Sequence, residues 1–179
     1  MCGLTLHPEK TKTVYCKQYN RPGKSEHMSF DFLGFTFRPR AAYSSKKGRK
    51  FVGFNPAVSN KALKRMSLVI RRWNIHRRTD KSLADLGRMV NPILRGWINY
   101  FGWVNKGMLV ELLKRLDLRL SRWAMNKYKK LRRHKRRARK WLRQYLLHNP
   151  NDFAHWGFMY PRMIGLQEPY ESRGSRTDL

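Results

Sequence analysis

Between Asn60 and Arg143 the chain carries 26 Lys and Arg residues against 4 Asp and Glu, together with five of its six tryptophans. These two properties ordinarily pull apart. A charge run that stays disordered is poor in aromatics, whereas this one holds the large apolar residues that a folded core requires. The combination points to a folded scaffold with a polyanion-binding surface. The stretch supplies +22 of a total formal charge of +29, so self-repulsion is strong until an anion neutralises it. The phosphate spacing of nucleic acid provides such an anion. An anionic membrane surface ranks second, and no run of 18 or more uncharged apolar residues exists for a spanning helix, so no membrane partner is expected.

A length of 179 residues allows one domain, or one with an appendage. Cys2 and Cys16 form no CxxC pair and suggest neither a disulfide framework nor a zinc site, which fits a reducing, cytoplasmic location. Residues 1–11 lack the charged start and apolar core of a signal peptide.

The hydrophobic period changes near residue 58. Before it, Phe30 to Phe37 places phenylalanine at almost every other position and reads as a strand, with Gly34 marking a bulge or a close backbone approach. Lys50 to Phe54 is a second strand, and a polar loop from Arg38 to Arg49 makes the pair a hairpin. From Ser59, a reasonable N-cap, the spacing becomes helical: Leu63, Met66, Ile70 and Trp73 share one face. After a polar connector from Ile75 to Lys81, Ser82 and Asp85 form a capping-box start. Leu83, Leu86, Val90, Ile93, Trp97 and Phe101 then mark a second helix, kinked or split by Pro92 near Asn91 and ended by Gly102. A third runs from about Met108 to Lys129, with Leu109, Leu112, Leu116, Leu120, Trp123 and Tyr128 inward. A fourth, from about His134 to Leu147, buries Ala138, Trp141, Leu142 and Tyr145. Short connectors between amphipathic helices favour a bundle. The fold class expected is α+β, mainly α, with an N-terminal hairpin followed by the bundle.

The acids limit the enzymatic readings. None of the eleven is adjacent to another, whereas two-metal phosphoryl transfer needs carboxylates converging on ions about 4 Å apart. The six histidines show no metal-ligand spacing and read as surface residues. No phosphate-binding loop or nucleophile-elbow motif is present. The basic content is the remaining signal. From Lys127 to Arg143, 11 of 17 residues are Lys or Arg with no acid. A solvated helix face is the plainer reading, but like charges at i, i+4 repel unless something neutralises them. Candidate phosphate contacts are therefore Lys127, Lys129, Lys130, Arg132, Arg133, Lys135, Arg136, Arg137, Arg139 and Lys140, joined by Arg71, Arg72, Arg77, Arg78 and Arg95. Trp73, Trp97 and Trp123 fall on apolar faces and read as core. Trp103 follows a helix end and is placed to stack on a nucleotide.

Three blocks carry a family resemblance. Gly3-Leu4-Thr5-Leu6-His7-Pro8-Glu9-Lys10-Thr11-Lys12 resembles the Gly-Leu-x-Leu-x-x-x-Lys-Thr block that follows the catalytic Tyr-Ala-Asp-Asp turn in group II intron reverse transcriptases. Phe32-Leu33-Gly34-Phe35 is similar to the next block, the primer grip. Ser82 to Gly102, with Asn91-Pro92-Ile93-Leu94-Arg95-Gly96-Trp97-Ile98-Asn99-Tyr100-Phe101, is similar to the maturase-specific domain, also called the thumb or X domain.

The resemblance implies that residues 1–55 are the end of a reverse transcriptase palm with its primer-grip hairpin. Residues 56–160 would be the thumb and 161–179 a flexible tail. It implies a partner in structured intron RNA or a template-primer duplex, and a role in intron folding and splicing by phosphate neutralisation. Lys10 matches a lysine near the incoming nucleotide, where a positive charge stabilises developing triphosphate charge. The family's fingers, most of its palm and its paired aspartates would lie before Met1. Any Mg2+ would belong to that missing site, so no cofactor and no polymerase activity are expected of this chain by itself. The residues after the bundle are too few for the family's C-terminal nuclease domain. The alternatives are a component that completes a separately supplied finger-palm fragment into an RNA-directed DNA polymerase, and an inactive remnant of a mobile element.

Overall fold

The computed structural model describes residues 13–16, 27–44, 48–104 and 106–165, and the chain divides into two compact units, Met1–Met66 and Ser67–Leu179. The block around Lys10 and the chain beyond residue 165 lie outside the described residues. The expected class holds: the protein is mainly helical, with one small antiparallel sheet near the N-terminus.

That sheet, in the first unit, has three strands in the order β1 (Phe30–Phe32), β2 (Phe35–Ser44) and β3 (Arg49–Val58). The single strand expected over Phe30 to Phe37 is thus corrected. It folds back at Leu33 and Gly34, whose φ angles of 47° and 82° are both left-handed. Two such residues make the mirror-image turn that matches strand twist in a hairpin. Gly34 therefore marks a turn and not a bulge. Folding back sets Phe30 opposite Phe37, where the rings stack at 4.8 Å, and Phe54 of β3 joins them at 6.1 Å. The Thr36 hydroxyl donates to the Asp31 carboxylate across the same pair. The polar loop expected from Arg38 is also shorter, since β2 continues to Ser44, which pairs with Arg49.

Helix α1 (Asn60–Arg72) starts where its cap predicts: the Ser59 hydroxyl accepts from the Ala62 N–H at 3.1 Å. Asn74, left-handed at φ 52°, follows the end of the helix. The second unit is built from α2 (Leu83–Phe101), α3 (Lys106–Lys127), α4 (Lys135–His148) and α5 (Ala154–Met159). The Ser82–Asp85 capping box is complete, with each side chain bonded to the other residue's N–H at 3.1 Å.

Pro92 does not split α2, which runs continuously to Phe101. Proline removes one hydrogen bond, and here its ring stands on the exposed side while Leu86, Val90 and Leu94 are fully buried on either side of it. The buried face is set by Leu94 in place of the expected Ile93, which is exposed. Asn91 has a different task. Its Nδ2 donates to Asp152 O and its Oδ1 accepts from Ala154 N, both at 2.9 Å, so one side chain fastens α2 to the start of α5. Gly87 allows that approach, because a Cβ there would lie 2.0 Å from Asp152 O. Gly102 caps the end of α2, and glycine is required there by close approach as at Gly87: its φ of −72° is ordinary, but a Cβ would meet Ile98 O at 2.3 Å.

Helix α3 supplies the centre of the unit, burying Leu109, Leu112, Leu113, Leu116, Leu120, Trp123 and Ala124. Of the expected core residues, Trp123 is buried, whereas Trp73 and Trp97 are half-buried and stack on each other at 5.8 Å. Tyr128 is exposed, contrary to its expected inward position, but its ring meets both Trp123 and Trp141. The aromatic seam continues through Tyr145 and Trp156 to Phe153, tying α4 and α5 together.

Replacing Asn91 by Ala removes both bonds of the clamp and leaves two backbone groups to find partners. It is expected to cost about 2–4 kcal/mol in urea unfolding. A loss below about 0.5 kcal/mol would show that the clamp is dispensable.

Candidate nucleic-acid interface

Helix α4 carries its charge where the fold leaves room. Ala138, Leu142 and Leu146 recur every fourth residue and are buried, flanked by half-buried Trp141 and Tyr145. Lys135, Arg136, Arg137, Arg139, Lys140 and Arg143 occupy the remaining faces and are all exposed. The approach to the helix is equally open: Lys129, Lys130, Arg132 and Arg133 are exposed, in a short 3-10 turn (Lys129–Leu131) and the bend after it. Most of the predicted run is therefore exposed, through the turn and the bend and along α4.

A second cluster forms around the connector. Burial lowers the Arg119 guanidinium from its ordinary value, and the charges of Arg122 and Arg71 lower it further. The His76 ring is held down by burial and by Arg119, Arg77 and Arg122. Arg71 and Arg77, foreseen from sequence, thus converge with Arg119 and Arg122 of α3, which were not. The missed signal is the step of four and three in Arg115, Arg119 and Arg122, a basic stripe that flanks the leucine face of α3. Among the described residues no carboxylate pairs with these cations, an arrangement that suits an anion.

Other predicted contacts turn out to have structural roles. Arg78 donates through Nε to Trp73 O at 2.9 Å, and Lys127 donates to Lys81 O at 2.6 Å while lying over the Trp123 ring. With Trp123 Nε1 on Arg78 O and Asn126 on His76 O, these bonds pin the connector to α3. Arg72 is exposed near the Arg71 cluster in sequence, and Arg95 is exposed on α2. The primer-grip-like residues Phe32, Leu33, Gly34 and Phe35 form the tip of the β1–β2 hairpin, with Phe32 and Leu33 exposed and Phe35 buried. Trp103 is 67% exposed, with its Nε1 donating to Tyr100 O.

One acid holds the unit together. Asp117 of α3 accepts from His155 Nε2 at 2.9 Å, Trp156 Nε1 at 3.0 Å and the Tyr160 hydroxyl at 2.9 Å. His155 is fully buried, so the surface position expected for it is corrected. Burial pushes the Asp117 carboxyl up, but the His155 bond and charge and the two other donors outweigh it and hold the group below its ordinary value. Burial also raises the Tyr160 phenol, with the Asp117 charge and bond adding to it. Among the described residues no three His, Cys, Asp or Glu side chains group to hold a metal ion. Nor is any described helix long and apolar enough to cross a membrane.

The geometry defines a helical module with a cationic face on α4. Residues 63–141, from α1 into α4, match the family model of the group II intron, maturase-specific domain. That match supports reading this region as a group II intron maturase region. No curated protein and no solved structure matches the chain.

A carboxyl with a depressed folded value contributes stability above its unfolded value and loses it as pH falls through the folded one. The stability gap between the wild type and Asp117→Asn should be widest near neutrality and close as pH falls below about 4. A gap that widens towards pH 3 would contradict the network.

Proposed function

We propose that this chain is a maturase-type RNA-binding module that grips structured group II intron RNA and stabilises its compact fold by neutralising phosphate repulsion. The observation that carries this reading is the α4 face, six exposed cations displayed on a helix locked into a bundle, within and beside the region that matches the maturase-specific domain. The Arg71, Arg77, Arg119 and Arg122 cluster provides a second phosphate contact region on the same unit. Splicing chemistry would belong to the RNA. Recognition would rest on shape and on exposed loops, because the deep groove of an RNA duplex hides its base edges.

A second reading has the chain complete an RNA-directed DNA polymerase whose metal-binding aspartates come from another fragment. Exposed Phe32 and Leu33 at the hairpin tip, with exposed Phe51 on β3, favour it as a docking surface. Primer extension on mixing with a finger-palm fragment would establish it.

For the first reading, roughly six to ten phosphate contacts predict that affinity for a structured RNA falls about a thousandfold or more between 50 and 200 mM salt. Replacing Arg136, Arg139 and Lys140 with Ala should weaken binding to all structured RNAs and reduce the salt slope by about one for each cation removed. A binding constant insensitive to salt would sink the reading.

A further inference from the structure

Between α3 and α4 lies an open cleft of about 600 Å³, a size that accommodates a small organic ligand. Its apolar lining comes from Leu118 of α3, Leu142 and Leu146 of α4, Trp156 of α5 and Met163; Leu118 is the exposed leucine, whereas Leu142, Leu146 and Trp156 reach the cleft only by the edges of buried side chains. Leu118 is 42% exposed, too open for a core leucine. Lys114, Arg139 and Arg143 stand among the lining residues, and Asp117 and Tyr160 supply a polar group between them. Lys114 is paired with Glu111 at 2.6 Å, whereas among the described residues no carboxylate pairs with Arg139 or Arg143.

We propose that this cleft receives one unpaired nucleotide of the bound RNA, its base against Leu118, Leu142 and Leu146 and its phosphate between Arg139 and Arg143. The inference rests on the RNA-binding reading above and adds a ligand to it. A largely apolar pocket beside guanidinium groups that no described carboxylate pairs calls for an anion that carries an apolar body, and a nucleotide has both parts. The Tyr160 hydroxyl donates to Asp117, so its oxygen keeps acceptor capacity for an amino group on the base edge. A base within a duplex is stacked and paired and cannot enter such a cleft, whereas a looped-out base can.

An acidic peptide would also complement the rim, but it accounts for less of the surface. Arg136, Arg137 and Lys140 are exposed on the faces of α4 outside the cleft lining. A polynucleotide leaving the cleft along α4 meets these cations with its next phosphates. A peptide seated in the cleft leaves them unpaired.

Two RNA hairpins with the same stem test the proposal against the full chain at low salt, one continuous and one with a single looped-out 2-aminopurine nucleotide. The wild type should bind the looped-out hairpin about tenfold more tightly, with a change in 2-aminopurine fluorescence. Leu118→Gln, at an exposed position, should cut that preference to below about threefold and leave affinity for the continuous stem within about twofold. Arg143→Ala should weaken the looped-out hairpin more than the continuous one. Equal wild-type affinities, or a preference unchanged in both variants, would overturn the proposal and leave RNA binding standing. Failure to bind either hairpin would overturn both. A synthetic amphipathic Leu/Glu helix that binds the wild type but not Leu118→Gln, with the hairpins bound equally, would assign the cleft to a polypeptide instead.

Discussion

Mutual repulsion among the cations of α4 sets the terms on which the helical unit folds. Lys135/Arg139, Arg136/Lys140 and Arg139/Arg143 stand four residues apart, and Arg136/Arg139, Arg137/Lys140 and Lys140/Arg143 stand three apart. Each like-charge pair on a helix costs about 0.2–0.5 kcal/mol, so the six together cost about 1–3 kcal/mol. Burying a single leucine contributes about 1.5–3 kcal/mol, and α4 buries both Leu142 and Leu146. The helix is therefore held by its apolar stripe and by the aromatic seam through Trp141 and Tyr145, and its charge remains available to a partner. Salt or bound phosphate then relieves strain in a surface that is already in place.

Asp117 solves the complementary problem of fixing the C-terminal segment in a chain with few acids. One carboxylate on α3 takes donors from His155 and Trp156 of α5 and from Tyr160 just beyond it. Asn91 does the same from α2 with uncharged groups. Their placement explains how a strongly basic module can keep two polar side chains in partly buried positions: each is hydrogen-bonded by partners far away in sequence.

Local chemistry was legible in the sequence, and tertiary partnership was not. The Ser59 cap, the Ser82–Asp85 box and the Gly102 stop depend on residues within a few positions of one another, and each is found where its spacing places it. The phenylalanine run was misread because alternation looks the same through a strand and around a tight turn. Only the left-handed backbone at Leu33 and Gly34 separates the two. Pro92 carried a warning that the burial on either side of it outweighed. The basic run was visible as a surface, but the roles of Arg78 and Lys127 depend on backbone carbonyls brought close only by folding. Asp117 had a readable signal, since it lies four residues after Leu113 and three before Leu120 on an otherwise apolar face. Its donors lie 38 to 43 residues further on, which spacing cannot connect.

Under the proposed function this surface serves a particular structured RNA and not polyanions in general. Ultraviolet crosslinking of the expressed protein in cells, followed by sequencing of the bound RNA, tests it most directly. Recovered reads are expected to concentrate in a group II intron transcript and to be lost when the α4 cations are replaced by Ala. Reads spread across cellular RNA in proportion to abundance, with no enriched structured intron, would contradict it.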